Sequence, residues 1–206
     1  GQRSVILTTP GMERRGTRAE VEGGLGAPVS ARYTEVPPNP TIRSCTEAFE
    51  AVRGADAELL IALGGGSVID TAKAVAAQQA GDAGPGGLPA HLRESAPLPD
   101  RFEPVPIIAI PTTAGTGSEV TMWGTIWDEE TKGKHSLSHP RLYPEAALLE
   151  PGLTHSVPPA TTIASALDAL SHAMEALWNR SANPVSSAVA VRAIGLIPDA
   201  LRRVLD

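Results

Sequence analysis

The sequence predicts an α/β domain with a parallel sheet at residues 1–158, followed by the beginning of an all-helical domain at residues 159–206. Short aliphatic runs alternate with segments of helical period, which indicates βαβ units. Two of the runs, Leu59–Leu63 and Ile107–Ile110, are apolar at every position, as expected of central strands that helices cover on both faces. Beyond the Pro158-Pro159 pair the chain becomes rich in alanine and helical in period, so we place the domain boundary there.

The spacing of the apolar residues along the chain predicts the individual strands, helices and turns. The segment between Gly81 and Pro106 is rich in Gly and Pro, and we expect it to be a surface excursion. A strand ending at Trp127, a turn at Asp128–Gly133 and an extended run to Leu149 come next. The remaining predictions are four strands of a Rossmann-like sheet, Val5–Thr8, Ala31–Val36, Glu58–Leu63 and Pro106–Ile110, and four helices, Thr41–Arg53, Val68–Gln79, Thr161–Leu177 and Val185–Leu205.

Composition excludes several classes of protein. The 206 residues carry a formal net charge of −6 without a long run of like charge, which argues against nucleic-acid binding. The apolar stretches are strand-sized and no signal peptide opens the chain, so we expect a cytoplasmic protein without a membrane partner. Its single cysteine, Cys45, has no partner for a disulfide or a thiolate metal site.

A glycine-rich turn lies where an apolar strand gives way to a helix, at Gly64-Gly65-Gly66-Ser67 with Asp70 three residues further on. Glycines let a ligand approach the backbone, and the free N–H groups of a helix start favour a phosphate. The spacing differs from G-x-G-x-x-G, so the pattern is weak by itself. A purely structural turn, with Ser67 and Asp70 as a capping box, stays open as an alternative.

A second polar loop, Pro111–Glu119, follows the next central strand and carries four hydroxyl side chains and two glycines. Open α/β sheets bind their ligands at the carboxyl ends of parallel strands, where both loops are predicted to lie. An ordinary capped turn does not need so many small hydrogen-bonding residues. The two loops together therefore favour a dinucleotide site.

The helix Thr161–Leu177 has an apolar face and a polar one. At about 100° per residue, Asp168, His172 and Glu175 fall opposite the apolar residues. Asp168 and His172 are four residues apart, so their side chains can meet at one metal ion. A carboxylate oxygen and an imidazole nitrogen suit Fe(II) or Zn(II). A polar face that only meets water is the alternative interpretation.

The glycine-rich turn, the second polar loop and the helix with Asp168 and His172, taken together and in this order along the chain, resemble the iron-containing alcohol dehydrogenases. The dehydroquinate synthase-like fold of that family is shared with glycerol dehydrogenase. The resemblance covers essentially the whole chain, and the most specific parts are Gly-Thr-Gly-Ser-Glu and Asp-Ala-Leu-x-His. The matching pieces are Pro38-Asn39-Pro40-Thr41, Gly64–Ser67 with Asp70, Pro111–Glu119, Lys134 and Leu167–Glu175.

The resemblance implies a metal-dependent oxidoreductase that moves a hydride between NAD or NADP and a small alcohol or aldehyde. It implies Asp168 and His172 as two of four protein ligands of Fe(II), with Zn(II) as the alternative, and it implies no catalytic side chain, since the metal is the Lewis acid. It also implies a homodimer at full length. The cofactor residues it implies are Thr34, Asn39, Pro40, Gly64, Gly65, Gly66, Ser67, Asp70, Thr112, Thr113, Thr116, Ser118 and Lys134.

The family's other two ligands are histidines on later helices, so we expect the chain to be truncated at its C-terminus and to lack a short N-terminal segment. The segment His135–Pro144 is similar to members that reduce phosphonoacetaldehyde, in which Lys134, Arg141 and a histidine would meet an anionic group. A solvated edge is the alternative interpretation of these residues. A glycerol dehydrogenase, a dehydroquinate synthase-like enzyme and a non-catalytic nucleotide-binding fragment stay open as other functions.

The cofactor preference rests on Thr34, at the end of the second predicted strand. NAD-preferring members of the family carry an aspartate there, which accepts hydrogen bonds from the adenosine ribose and repels a 2′-phosphate. Thr34 lacks that charge, so the sequence predicts that NADP is accepted. Glu35, the next residue, is the opposing consideration, because it supplies a carboxylate close by.

Overall fold

In a computed structural model, which describes residues 3–80, 87–94, 98 and 101–205, the chain forms two compact units. The first unit consists of Gly1–Pro111 and Ser118–Glu150. The second consists of Thr112–Gly117 and Pro151–Asp206. The loop after the fourth strand therefore packs with the helical part of the chain, although the residues on either side of it belong to the α/β unit.

The first unit contains a five-stranded sheet in the order β2-β1-β3-β4-β7, with every neighbouring pair parallel. The predicted parallel sheet and the central positions of β3 and β4 are confirmed. A separate antiparallel pair, β5 and β6, forms a hairpin. The strands are β1 Ser4–Thr8, β2 Val29–Tyr33, β3 Leu59–Gly64, β4 Ile107–Pro111, β5 Trp123–Asp128, β6 Gly133–Ser138 and β7 Ala146–Ala147.

The central strands are buried on both faces, as their unbroken apolar sequences predict. Leu60 and Ala62 of β3 belong to the main core cluster with residues of the helices, while Ile61 and Leu63 are just as inaccessible on the opposite face. The helices are α1 Pro10–Arg14, α2 Thr17–Gly24, α3 Ile42–Val52, α4 Gly66–Gln79, α5 Gly87–Glu94, α6 Pro159–Trp178 and α7 Pro184–Leu205.

Two helix starts show how local sequence fixes the elements. Thr41 caps α3, where its Oγ1 accepts from the Ser44 amide and the Ser44 hydroxyl accepts from the Thr41 amide, at 3.1 and 2.8 Å. Helix α4 has no such side-chain cap, and its small residues let it pack closely on the sheet. Its residues from Val68 to Ala77 other than Asp70 are buried.

Some sequence predictions were wrong in their bounds. Strand β2 covers Val29–Tyr33 instead of Ala31–Val36, because after Tyr33 only Val36 continues toward β1, by one bond to the Thr8 carbonyl at 3.2 Å. The short helices α1 and α2 were not predicted. Their few apolar residues carry too weak a periodic pattern to be recognised.

The prediction that the segment between Gly81 and Pro106 is a surface excursion is also wrong in part. Helix α5 lies within it and buries Leu88 and Leu92 in the core, although residues 81–86 lie outside the described part of the chain. From α5, Arg93 reaches the hairpin, where its Nε and Nη2 donate to the two oxygens of Asp128 at 2.6 and 2.8 Å. This pairing holds the pKa of the Asp128 carboxyl well below its usual range.

The second unit consists of α6, α7 and the loop Thr112–Gly117. Most large apolar residues of the two helices are exposed, among them Leu167 and Val189. By length and composition alone, α7 is apolar enough to cross a membrane, with a mean hydropathy of 1.3, which is weak evidence for a span.

Candidate functional site

The glycine turn joins the end of β3 to the start of α4. Gly64 closes the strand, and a Cβ there would lie 2.4 Å from Cγ2 of Val68, so the helix packs directly on the strand end. Gly65 is the N-cap residue, with extended backbone and no side-chain cap. The capping-box interpretation is therefore wrong, because Ser67 lies inside the first turn of α4. No side chain caps the first amides of α4.

The hydroxyl of Ser67 binds a different segment. Its Oγ accepts a hydrogen bond from the backbone N–H of Asn39 at 3.1 Å. Asn39 has a φ of 53°, a left-handed conformation that asparagine tolerates better than most residues. The carbonyl of the next residue, Pro40, accepts from the Trp127 amide at 2.9 Å. Two predicted cofactor residues, Asn39 and Ser67, are thus brought into contact.

Asp70, one turn further along α4, also anchors a separate segment. Its Oδ1 accepts from the hydroxyl of Ser118 at 2.5 Å and its Oδ2 from the amide of Thr125 at 3.0 Å. Burial raises the pKa of the Asp70 carboxyl, while these hydrogen bonds and the charges of Lys73 and Lys134 oppose the shift. Asp70 and Ser118, both predicted to bind the cofactor, contact each other and hold the segment after the second loop.

Sequence reasoning missed Lys73, which is fully buried. Its ammonium group donates to the Trp123 carbonyl at 2.6 Å, the Ser118 carbonyl at 2.8 Å and the Ser118 hydroxyl at 3.0 Å. Burial lowers the pKa of Lys73 to about 8, against the raising effect of the Asp70 and Glu119 charges. The available signal was a lysine three residues after Asp70 on an otherwise apolar stretch of helix.

The middle of the second loop, Thr112–Gly117, belongs to the second unit and contacts α6. Thr112 is buried, Thr113 is half-buried and Thr116 is exposed. Gly115 approaches the helix so closely that a Cβ there would lie 2.8 Å from Cβ and 2.9 Å from the carbonyl oxygen of Ser165. The loop with the three threonines predicted to line the cofactor site therefore belongs to the same unit as the helix that bears the predicted metal ligands.

Asp168 and His172 lie one turn apart on α6, with Oδ2 of the aspartate 3.9 Å from Nδ1 of the histidine. Both side chains are about half exposed, at 46% and 55%. Their oxygen and nitrogen donors fit an Fe(II) or Zn(II) ion. Within the described ranges, no third histidine, cysteine or carboxylate joins them in a group that could hold a metal ion.

Two of the other histidines, His135 and His139, contact residues of the first unit. His135 lies on β6 with Nε2 3.8 Å from Oδ2 of Asp128. His139 packs edge-on against Phe102, with ring centroids 4.5 Å apart, and its Nδ1 accepts from the Arg141 amide at 3.1 Å. Burial lowers the pKa of His139. Both histidines belong to the first unit.

The two remaining predicted cofactor residues lie at the surface of the first unit. Thr34 follows the end of β2, and its hydroxyl donates to Oε1 of Glu35 at 3.2 Å. Lys134 is exposed on β6, where its positive charge favours the ionised form of Asp70. Thr34, the residue on which the prediction of NADP acceptance rests, thus contacts Glu35, whose carboxylate is the argument against that prediction.

Comparison with models of known protein families shows the family to which the chain belongs. The model of the iron-containing alcohol dehydrogenases matches residues 1–151, and the model of the C-terminal domain of that family matches residues 162–206. The chain belongs to the iron-containing alcohol dehydrogenase family. The second match includes α7, so this apolar helix is accounted for as part of the family's C-terminal domain.

Named relatives include several dehydrogenases and reductases. The chain is 36% identical to the lactaldehyde reductase of Escherichia coli (strain K12), over 98% of the chain and 52% of that protein. It is 34% identical to the choline dehydrogenase of Bacillus subtilis (strain 168), over 93% of the chain and 48% of that protein. The chain therefore spans about half the length of the curated relatives it matches.

Solved structures share the fold. The sulfoacetaldehyde reductase of Bifidobacterium kashiwanohense, in complex with NAD⁺, matches with a TM-score of 0.89 and 30% identity, over 97% of this chain and 52% of that one. An iron-containing alcohol dehydrogenase from Thermococcus thioreducens matches with a TM-score of 0.82 and 32% identity, over 98% of this chain and 55% of that one. The fold prediction is confirmed.

Replacing the buried lysine, in Lys73→Met, is expected to lower the free energy of unfolding by about 1–3 kcal/mol at pH 7, because carbonyls of Ser118 and Trp123 lose their donor. The pKa of Lys73 lies at about 8 when folded and at 10.5 when unfolded, so between these values the unfolded state binds more protons. The wild type therefore gains stability relative to Lys73→Met as the pH rises through that interval.

Urea denaturation at several pH values from 7 to about 10 measures this difference. Lys132→Met, at an exposed lysine of the hairpin turn, is the matched control and should leave the pH dependence unchanged. A difference between wild type and Lys73→Met that stays constant or shrinks with rising pH would contradict the assignment of a buried ammonium.

Proposed function

We propose that the chain carries the cofactor-binding part and two metal ligands of an NAD(P)-linked, metal-dependent alcohol dehydrogenase. The observation that carries the proposal is the placement of the hydroxyl loop Thr112–Gly117 on α6, the helix of Asp168 and His172, by the close contact of Gly115 with Ser165. A loop suited to a nicotinamide and a donor pair suited to a metal ion thus occupy one compact unit. This combination is what hydride transfer to or from a polarised carbonyl requires.

The cofactor would lie with its pyrophosphate at the start of α4. The uncapped amides of this helix and its dipole favour an anion, and Gly65 and Gly66 present no side chain toward it. Asn39 and Ser67 border the same turn through their mutual hydrogen bond. For the nicotinamide half, the sequence resemblance is the basis for proposing the hydroxyls of Thr112, Thr113 and Thr116. Lys134 adds a positive charge near Asp70.

Asp168 and His172 would hold the metal ion, for which Fe(II) is our proposal and Zn(II) the alternative. When bound, the ion supplies Lewis-acid polarisation of the substrate oxygen. The side chains of this chain bind and orient, and none is proposed to act as a nucleophile or a general base. Since the described residues provide two donors, metal-dependent turnover requires ligands beyond them, and by itself the 206-residue chain is proposed to bind NAD(P)H without measurable turnover.

For the substrate we propose a small aldehyde or alcohol, with phosphonoacetaldehyde as the specific candidate. Support comes from the similarity to a reductase of sulfoacetaldehyde, another small aldehyde with an anionic end. Of the basic residues considered for that end, Lys134 and Arg141 are exposed, which leaves them available to an anion. His135 is less suitable, because it faces Asp128. The cytoplasmic location and the homodimer stay predictions.

His172→Ala in the full-length gene product is expected to remove the bound metal and the activity together, because the ligand pair loses its nitrogen donor. NAD(P)H affinity should stay nearly unchanged. The metal content is measured by elemental analysis and the affinity by cofactor fluorescence. Glu175→Ala is the matched control, since Glu175 lies on the same helix one turn beyond His172 and is expected to leave the metal in place. Full metal occupancy in His172→Ala would contradict the proposal.

Thr34→Asp tests the cofactor preference. A carboxylate at this position would accept hydrogen bonds from the adenosine ribose and repel a 2′-phosphate, so the substitution should shift the preference toward NAD by about 1–3 kcal/mol. The ratio of kcat/KM for the two cofactors in the full-length gene product measures the shift. Thr34→Ser is the matched control, because it keeps the hydroxyl that bonds Glu35. A strong NAD preference in wild type that Thr34→Asp leaves unchanged would place the ribose elsewhere.

A further inference from the structure

The hydroxyl loop Thr112–Gly117 contacts α6 on the face that carries Asp168 and His172, the proposed metal ligands, which are called the ligand pair below. Ser165, which Gly115 approaches, precedes Asp168 by three residues and His172 by seven, a spacing that puts all three on one side of a helix. At about 1.5 Å per residue, Asp168 lies about 4.5 Å and His172 about 10.5 Å beyond Ser165 along the helix axis. The loop is therefore seated within about two turns of the ligand pair.

Gly115 contacts both the backbone and the Cβ of Ser165. A Cβ at Gly115 would lie 2.9 Å from the carbonyl oxygen and 3.1 Å from the Cα of Ser165, as well as 2.8 Å from its Cβ. The backbone of a hydrogen-bonded helix cannot move aside as a flexible side chain can. Any side chain at position 115 must therefore lift the loop away from α6.

We propose that Gly115 is a positioning residue that sets the distance between the hydroxyl loop and the ligand pair, and through it the distance over which the hydride is transferred. The inference rests on the proposed function, in which the loop orients the nicotinamide and Asp168 with His172 holds the metal ion. Both groups belong to one compact unit, so contacts inside that unit fix their spacing.

The effect expected from a small displacement is large. Hydride transfer requires reacting atoms at about 3–3.5 Å, and a misplacement of about 1 Å costs about 100-fold in rate. Gly115→Ala is therefore expected to lower kcat by about 100-fold while metal content and NAD(P)H affinity change little. A glycine needed only for stability would instead lower the folded fraction and leave the turnover of folded molecules unchanged.

The test uses the full-length gene product with Co²⁺ in place of the native metal. Paramagnetic relaxation of the nicotinamide C4 proton reports the distance between metal and cofactor without any turnover. Gly115→Ala is expected to weaken this relaxation and to lower kcat, with elemental analysis and cofactor titration showing the metal and cofactor still bound. Gly195→Ala, the same change at an open position on α7 of the same unit, should alter neither.

Two further variants keep the test decisive if Gly115→Ala fails to fold. Ser165→Val adds bulk to the same contact from the helix side and should also weaken the relaxation and lower kcat. Ser165→Gly combined with Gly115→Ala removes the Cβ contact at 2.8 Å and should restore part of both. Unchanged relaxation and kcat in folded Gly115→Ala or Ser165→Val would overturn the inference. A wild type without metal-dependent NAD(P) turnover would instead overturn the proposed function.

Discussion

The hydrogen bonds that one face of α4 makes to other segments are the interaction on which the arrangement of the first unit depends. The ammonium of Lys73 is central, because its three donors bind the carbonyls of Ser118 and Trp123 and the hydroxyl of Ser118. Ser118 in turn donates to Asp70. Three polar groups that would be costly to bury singly satisfy one another, and the segment that leaves the second loop is thereby fixed to α4. Since α4 begins at the glycine turn, these bonds also place the helix end proposed to receive the pyrophosphate.

Glycines serve two different physical purposes in the two loops. Gly64 is required by the protein itself, since Val68 occupies the space that a side chain would need. Gly115 is required by the approach of the loop to α6. Gly65 caps α4 with extended backbone, and its freedom from a side chain serves the proposed ligand. A motif rich in glycine thus combines packing with the binding role proposed for it, and the sequence pattern alone does not separate the two.

The parallel sheet, the central positions of β3 and β4 and the two long helices α6 and α7 could be predicted, because unbroken apolar runs and a helical period carry strong signals, whereas the order of the strands was not predicted. Helix α5 was missed, because turn-forming residues around it obscured the burial of Leu88 and Leu92. The bounds of β2 were misplaced, since β-branched residues alone do not show where pairing with β1 ends.

From the sequence, candidate residues for the site could be named, but most of the contacts between them could not be predicted. The spacing of Asp168 and His172 predicted that they lie one turn apart on one helix, as the 3.9 Å between Oδ2 and Nδ1 shows, while their role as metal ligands stays a prediction. The role of Lys73 could not be predicted, because its acceptors are about 45 to 50 residues away along the chain and two of them are backbone carbonyls. The allocation of the Thr112–Gly117 loop to the helical unit likewise depends on tertiary contacts that no local pattern encodes.

The turn from β3 into α4 is proposed to receive the cofactor's pyrophosphate. Titration of the 206-residue chain with NADH, followed by fluorescence and compared between wild type and Gly65→Val, tests it most directly. Gly65 has a φ of −75°, which valine can adopt, so the fold should survive while the added side chain blocks the approach to the helix amides. Gly65→Val is expected to bind NADH at least about tenfold more weakly than wild type, which corresponds to about 1.4 kcal/mol, with the free energy of unfolding nearly unchanged. Equal NADH affinity in the two proteins would contradict it.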